Sequence, residues 1–485
     1  MKSKLTIFAT VALCVSFICS CDSGNDPKFS SENEIKSFII SNLNPQITGV
    51  INQSAKTVTV SVPYNTNLTT LVPIITTSEK STVSPISAVV QDFTNPVLYM
   101  VTAEDKSTAV YTVTVKRLDA TTETLSGTMN ANRTLPDLGL PVDYVIDGIF
   151  YVDGNALLTI EPGVKILFTG IDGAIDVGEN AGLKMVGTAD KPIEFGGPLN
   201  NPNKGSWSSI RYHSKRTDNL MEYVRLINGG SDENDWRGVL RVSGSVSVKN
   251  CEINGSLGAG IQVDADASLK TFDGNTVKNC NYYAMWIDNL TAATAITSSN
   301  IFTDNVKNVV RIQGSVSNSD LTLKAIQIPY LMQDIVYVEK KLTLEAGVSL
   351  YFQQSATMRI EASGQIIAAG TTDKHIVIRG LNNEAGYWGG IMLSSTVSGN
   401  KLIYCDISGG GLSDAWNSNS NLYLRSSAKI TIQNCTFSRS NFYGVTVEDK
   451  SNANFQLVQS GNSFSSCRLG NVYDEATEVV LNSLP

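Results

Sequence analysis

Along most of the chain, apolar and polar residues alternate in short runs broken by Gly, Asn, Asp and Pro. A period of two places successive side chains on opposite faces of a strand, so the pattern predicts many short strands and no long helix. Thr57 to Pro63 reads Thr-Val-Thr-Val-Ser-Val-Pro, and Tyr111 to Val115 reads Tyr-Thr-Val-Thr-Val. With Ile35 to Ile40 and Tyr99 to Thr102, and turn-rich segments between, residues 34–117 predict a small β-sandwich.

From residue 123 the chain repeats itself at long range. Leu158 to Phe168 matches Leu342 to Phe352, Gly187 to Phe195 matches Gly370 to Ile378, and Ser206 to Ile210 matches Tyr387 to Ile391. Tyr223 to Gly230 matches Tyr404 to Gly411, Lys249 to Ile253 matches Gln433 to Phe437, and Gly260 to Asp264 matches Gly444 to Glu448. All six offsets fall between 181 and 184 residues, in the same order, so residues 123–325 and 326–485 are duplicated modules. A shorter period is suggested by the cysteines: Cys251 to Cys280, Cys405 to Cys435 and Cys435 to Cys467 are 29, 30 and 32 residues apart, each taken as one turn of a coil. Short strands punctuated at that interval suit a stacked solenoid, in which each rung buries its apolar face only against the next.

The motif Asn-Cys-x-[Phe/Ile] followed by Gly-[Ile/Val]-x-[Val/Ile] resembles the parallel β-helix repeat of pectin-degrading enzymes. That resemblance implies an all-β chain whose residues 123–485 form a long right-handed parallel β-helix. The runs Ser61 to Pro85 and Asp92 to Arg117 resemble the Ig-like modules near the N-termini of Bacteroidetes surface lipoproteins, which implies a spacer role for residues 34–117.

The first residues carry a different signal. Lys2 and Lys4 precede an apolar stretch from Leu5 to Ile18, too short to span a bilayer but suited to a signal-peptide core. Ile18-Cys19-Ser20-Cys21 resembles the bacterial lipobox, which implies a signal over residues 1–21, acylation of Cys21, a polar tether over 22–33, and attachment by lipid to the outer membrane at the cell surface; a monomer is expected. The net charge of -8 and the lack of any later basic block give no support to nucleic-acid binding. Once the signal and Cys21 are set aside, five cysteines remain; their odd number and the absence of a CxxC pair favour a core ladder over a disulfide framework or metal site.

Candidate chemistry lies on the coil. Polygalacturonase-like hydrolases show Asn-Thr-Asp, Asp-Asp and Gly-His-Gly motifs, and none occurs here; Trp286-Ile287-Asp288-Asn289 only partly resembles the Trp-Ile-Asp-His segment of pectate lyases. If Ile261, Val263, Met285 and Ile287 point inward, then Gln262, Asp264, Trp286 and Asp288 point outward, with Arg241 one rung before and Arg311 one rung after. Such a surface suits a sugar ring stacked on Trp286 and an acidic sugar held by Arg241 and Arg311, directly or through calcium at Asp264 and Asp288. Trp236, beside Asp232 and Asp235, and Trp416, beside Asp414, lie in equivalent loops and are further ligand-binding candidates. Trp207 and Trp388 begin W-x-x-I strands and are expected to pack in the core, while His213 and His375 are expected at strand edges. The leading expectation is a non-catalytic protein that binds a polysaccharide or adheres to a surface; the alternatives are a calcium-dependent lyase of a uronate polymer, with Arg241 or Arg311 as base, and a structural surface protein.

Overall fold

The computed structural model describes residues 29–64, 66–118, 121–231, 237–412, 419–449, 454–455 and 460–484. Cys21, Trp236, Trp416, Asp232, Asp235 and Asp414 lie outside the described residues. The chain divides into two compact units, Met1–Asp119 and Ala120–Pro485.

The first unit is a sandwich of a three-stranded and a five-stranded sheet. In the smaller sheet Ile35–Ile40 pairs antiparallel with Ile47–Thr48 and Pro73–Thr77. Its register shifts between Ile35 and Ser37, and this bulge explains why the run is buried at Ile35, Phe38 and Ile40 rather than at every second residue. In the larger sheet Thr57–Val62 runs parallel to Thr108–Arg117. Phe38 meets Val58, Val60, Tyr99 and Tyr111 in one core, with its ring edge-on to Phe93 and Tyr99.

The second unit is a parallel β-helix with three strand stacks, here called front, flank and rear. In the first module the front stack comprises Ala174–Val177, Ser209–Tyr212, Gly238–Val242, Ala259–Val263, Tyr283–Ile287 and Lys307–Ile312, each paired parallel with the next. The flank stack includes Lys165–Phe168, Ile193–Gly196 and Val224–Ile227, and the rear stack includes Leu157–Ile160, Gly182–Val186 and Leu220–Glu222. The second module repeats this order, its front stack running from Val336–Val338 through Thr357–Ile360, Gly390–Leu393, Ser420–Leu424 and Tyr443–Val447 to Gly470–Asp474. An antiparallel strand, Val479–Leu481, pairs with that last rung.

Inward positions form one continuous apolar core through both modules. Trp207 and Trp388 are fully buried at equivalent corners, stacked on Phe168 and Phe352 at 4.5 and 4.4 Å between ring centroids. Each indole N–H donates to a main-chain carbonyl, of Ile227 and Ser408, at 2.8 Å. Gly260 and Gly444 answer to close approach: a Cβ on Gly260 would sit 2.6 Å from Val277 Cγ1, and one on Gly444 would sit 2.6 Å from Phe464 Cδ1.

The Asn-Cys motif marks a corner. Asn250, Asn279 and Asn434 turn the chain with φ of 51°, 56° and 53°, a region that asparagine tolerates better than most residues, and the following cysteine then points into the core. The five cysteines among the described residues are all free, four of them buried. The reading of their spacing as one coil turn holds only for Cys405 and Cys435. The pairing Asn254↔Lys278 sets Cys280 level with Ser256, and Ser438↔Ser465 sets Cys467 level with Ser440, so the 29- and 32-residue intervals each span a rung plus a corner.

The two modules are not stacked in phase. Lys307–Ile312 pairs with the front strand Tyr283–Ile287 on one side and with Tyr330–Met332 on the other, and the latter continues into Ser349–Phe352, a flank strand of the second module. Val316 occupies an extra slot as a lone bridge to Val338, on the second module's first front strand. The second copy therefore begins one face later, and its front stack lies on a different side of the coil from that of the first.

Candidate functional site

On the front stack of the first module, alternation sends Leu240, Val242, Ile261, Val263, Met285 and Ile287 inward, all fully buried. The outward column is Asp176, Arg211, Arg241, Gln262, Trp286 and Arg311, one residue per rung. A second column follows two residues on, with His213, Ser243, Asp264, Asp288 and Gln313. Five of these, Arg241, Asp264, Trp286, Asp288 and Arg311, are the residues expected from the sequence, and the register brings them together.

The expectation that this column stands open to solvent needs correction. Arg241, Gln262 and Arg311 are only 8%, 7% and 4% exposed, because each long side chain lies along the sheet against its rung neighbours instead of extending from it. Asp264 accepts from Ser243 Oγ at 2.5 Å and from Gln262 Nε2 at 2.7 Å. Asp288 accepts from Trp286 Nε1 at 2.9 Å and pairs with Arg311. The Arg311 guanidinium lies 3.9 Å from the Trp286 ring centroid and donates to Gln313 Oε1 at 3.0 Å and Gln333 Oε1 at 3.4 Å. Arg241 Nε donates to the Gly238 carbonyl at 3.0 Å.

Lower on the same face, Arg211 donates to Ser209 Oγ at 2.9 Å and Ser208 Oγ at 3.1 Å and lies 3.5 Å from Asp176. His213 Nε2 is 3.4 Å from the other Asp176 oxygen. Together Asp176, Arg211, His213, Arg237, Arg241, Ser243, Gln262, Asp264 and Asp288 line a cleft of about 440 Å³. Asp176, Arg211 and Arg237 were not singled out from the sequence, and His213 was expected only as a strand-edge residue; it directly follows the strand Ser209–Tyr212. Counting the column two more rungs toward the N-terminus finds Arg211 and Asp176, but the connecting segments differ in length and hide the register.

One atom in this cleft stands out. Gln262 Nε2 is held by Asp264, which fixes the amide so that Oε1 is a buried acceptor with no donor. Buried polar atoms are nearly always paired, so an orphan acceptor in a polar cleft marks a place for a donor brought by a ligand. Among the described residues no group of three or more His, Cys, Asp or Glu is placed to hold a metal ion. Asn289, the last residue of the lyase-like tetrapeptide, serves the fold. Its Oδ1 caps the short helix Leu290–Ala293, and its Nδ2 donates to the carbonyls of Asp264 and Ala267 at 2.8 and 3.1 Å.

A second outward group continues from Trp286 across the junction. Tyr282 and Tyr283 flank the indole, with the Lys307 ammonium 4.1 and 4.7 Å from their ring centroids, and the Arg379 guanidinium sits 3.8 Å from that of Tyr351.

Comparison with known proteins divides the chain the same way. Residues 35–115 match the family described as SGBP, N-terminal; residues 127–255 match the pectate-lyase like beta helix domain, and residues 222–326 the right handed beta helix region. No curated protein matches the chain. Among solved structures, one described as a "putative glycoside hydrolase from Bacteroides thetaiotaomicron" is 25% identical over 20% of this chain and 29% of its own, with a TM-score of 0.17. The chain thus carries an SGBP-type N-terminal domain ahead of a right-handed, pectate-lyase-like β-helix.

Proposed function

We propose that this is a cell-surface glycan-binding protein, held to the outer membrane by acylated Cys21, that binds a polysaccharide non-catalytically on the front face of its first coil module. The observation that carries the reading is the cleft itself: Arg211 and Arg241 on two successive rungs and Asp264 and Asp288 on the next two surround the orphan acceptor Gln262 Oε1, beside the Trp286 indole. Sugar hydroxyls both donate and accept, so a wall of fixed donors and acceptors suits them, and a guanidinium suits a sugar carboxylate. The match to surface glycan-binding proteins over residues 35–115 supports the same reading.

The arrangement of Arg311 favours binding over elimination chemistry. Its guanidinium is held along its edges by Asp288, Gln313 and Gln333 and against Trp286 on its face, so its N–H groups already serve protein acceptors rather than face a substrate proton. Native-gel affinity electrophoresis of the full chain against polygalacturonate, alginate, chondroitin sulfate, xylan, galactomannan and laminarin, with and without calcium, tests the proposal. Retardation by at least one polymer is expected, reduced about tenfold or more by Gln262→Leu combined with Arg241→Ala. Lack of retardation by any polymer, or retardation unchanged in that variant, overturns it. Growth of ultraviolet absorbance from an unsaturated product in the calcium arm would establish the lyase instead.

A further inference from the structure

Duplication gives the cleft a counterpart. The sequence match of Gly260 to Asp264 with Gly444 to Glu448, carried along the strand registers, sets Thr446 at the position of Gln262, Tyr423 at Arg241, Met392 at Arg211 and Tyr473 at Trp286. Two acids persist, with Glu448 at Asp264 and Glu475 at Asp288, while Asp176 is replaced by Arg359 and two arginines of the column by Met392 and Tyr423. Among the described residues the one cation beside these acids, Arg425, is taken up by Glu448 at 3.0 Å. Tyr423 donates to Glu475 at 2.7 Å, and Tyr443 and Tyr473 stack at 4.4 Å between centroids. Around Thr446 this face presents phenols and carboxylates, and its unmatched arginine, Arg359, lies three rungs away.

A second observation points to a ligand on it. Thr446 is on the outward side of its strand, fully buried, and its Oγ1 has no hydrogen-bond partner. Thr446 occupies the same register position on its rung as Gln262, whose Oε1 is also unpaired. Of the seven such buried unpaired atoms among the described residues, these two belong to one register position of the duplicated sheet.

We infer that the second module carries its own carbohydrate site, around Tyr423, Thr446, Tyr473 and Glu475, which takes an uncharged polysaccharide. The inference rests on the glycan-binding reading of the first module. An acidic sugar is disfavoured there because its carboxylate would meet Glu448 and Glu475 without a free guanidinium in between, whereas neutral hydroxyls donate to those acids and accept from phenols. Because the copies are out of phase by one face, the two sites look out from different sides of the coil. One molecule then holds two polymer chains of different charge, rather than one chain laid along both modules.

The test is a sandwich capture with the full chain: beads bearing polygalacturonate are loaded with protein, washed, and offered fluorescent laminarin, galactomannan or xylan. The native chain is expected to retain at least one neutral polymer on the beads. Thr446→Val, which keeps the side-chain volume, and Tyr473→Ala are each expected to lower neutral-polymer retention about tenfold while acidic-bead loading stays unchanged. Direct gel retardation of the same variants by the neutral polymers keeps the two claims apart: if the native chain fails on acidic beads but still binds a neutral polymer through Thr446 and Tyr473, the second site stands and the acidic preference of the first falls. Absence of neutral-polymer binding by the native chain, or binding untouched by both substitutions, overturns the inference.

Discussion

Asn275→Ala addresses what holds the coil's corners. Asn275 is fully buried between rungs; its Oδ1 accepts the Cys251 N–H at 2.9 Å, and its Nδ2 donates to the Val248 carbonyl at 3.1 Å and to Asn300 Oδ1 at 3.0 Å. Alanine leaves the Cys251 N–H buried without an acceptor, at about 1–3 kcal/mol, and removes two further neutral bonds of about 1 kcal/mol each. The expected loss is therefore about 3–5 kcal/mol, of which the orphaned amide is the largest part. All five tryptophans, Trp207 to Trp416, belong to the coil and none to the N-terminal unit, so their fluorescence in a urea titration follows coil unfolding alone. Hydrogen exchange localises the effect: the Cys251 amide is expected to exchange about a hundredfold faster, while the Cys280 amide, held by Asn305 Oδ1 at 3.0 Å, changes less. A stability loss below about 1 kcal/mol together with unchanged exchange at Cys251 would refute the claim that these side chains carry the corners.

Other outcomes follow from the same structure. Trp207→Ala and Trp388→Ala each remove a buried, stacked indole and are expected to cost about 3–5 kcal/mol, equal to within about 1 kcal/mol, by the same urea titration; a large inequality would show that the corners are not equivalent. Burial pushes the Cys251 and Cys280 thiols up to about 12. The folded state keeps both neutral where the unfolded chain ionises near 9, so their contribution is complete below about pH 9 and is lost progressively toward pH 12, and urea midpoints should fall over that window. Iodoacetamide at pH 8, followed by mass spectrometry, should modify half-buried Cys467 first and spare Cys251, Cys280, Cys405 and Cys435 until the coil unfolds; early labelling of Cys251 would contradict its place in the core. Cys21→Ser should abolish incorporation of an alkyne-tagged fatty acid in cells, and retained incorporation would exclude that residue as the acylation site.

How much of this was legible beforehand depends on the range of the cause. Strand faces and core residues were readable because the side-chain period along a strand is two and the inward positions are apolar: Ile261, Val263, Met285 and Ile287 are where alternation puts them. The tryptophan corners were readable too, since Trp207 and Trp388 recur at one offset with the same neighbours. The juxtaposition of Arg241, Asp264, Trp286, Asp288 and Arg311 came from the same logic, extended one rung at a time. It missed Arg211, His213 and Asp176 because the connections between rungs vary in length, so the register has to be seen rather than counted.

By itself the sequence determined that this chain is a β-sandwich followed by a duplicated coil, because alternation and long-range repetition are properties of the chain read in order. The tertiary structure decided three things that order does not hold. Cys251 and Cys280 sit at different corners, because a 29-residue interval counts a rung and a corner alike. The outward arginines lie down along the sheet, because a carboxylate and an indole on the neighbouring rung hold Arg311 and a carbonyl of its own strand holds Arg241. The second copy starts one face round from the first, because a single extra bridge at Val316 shifts the phase of every later rung.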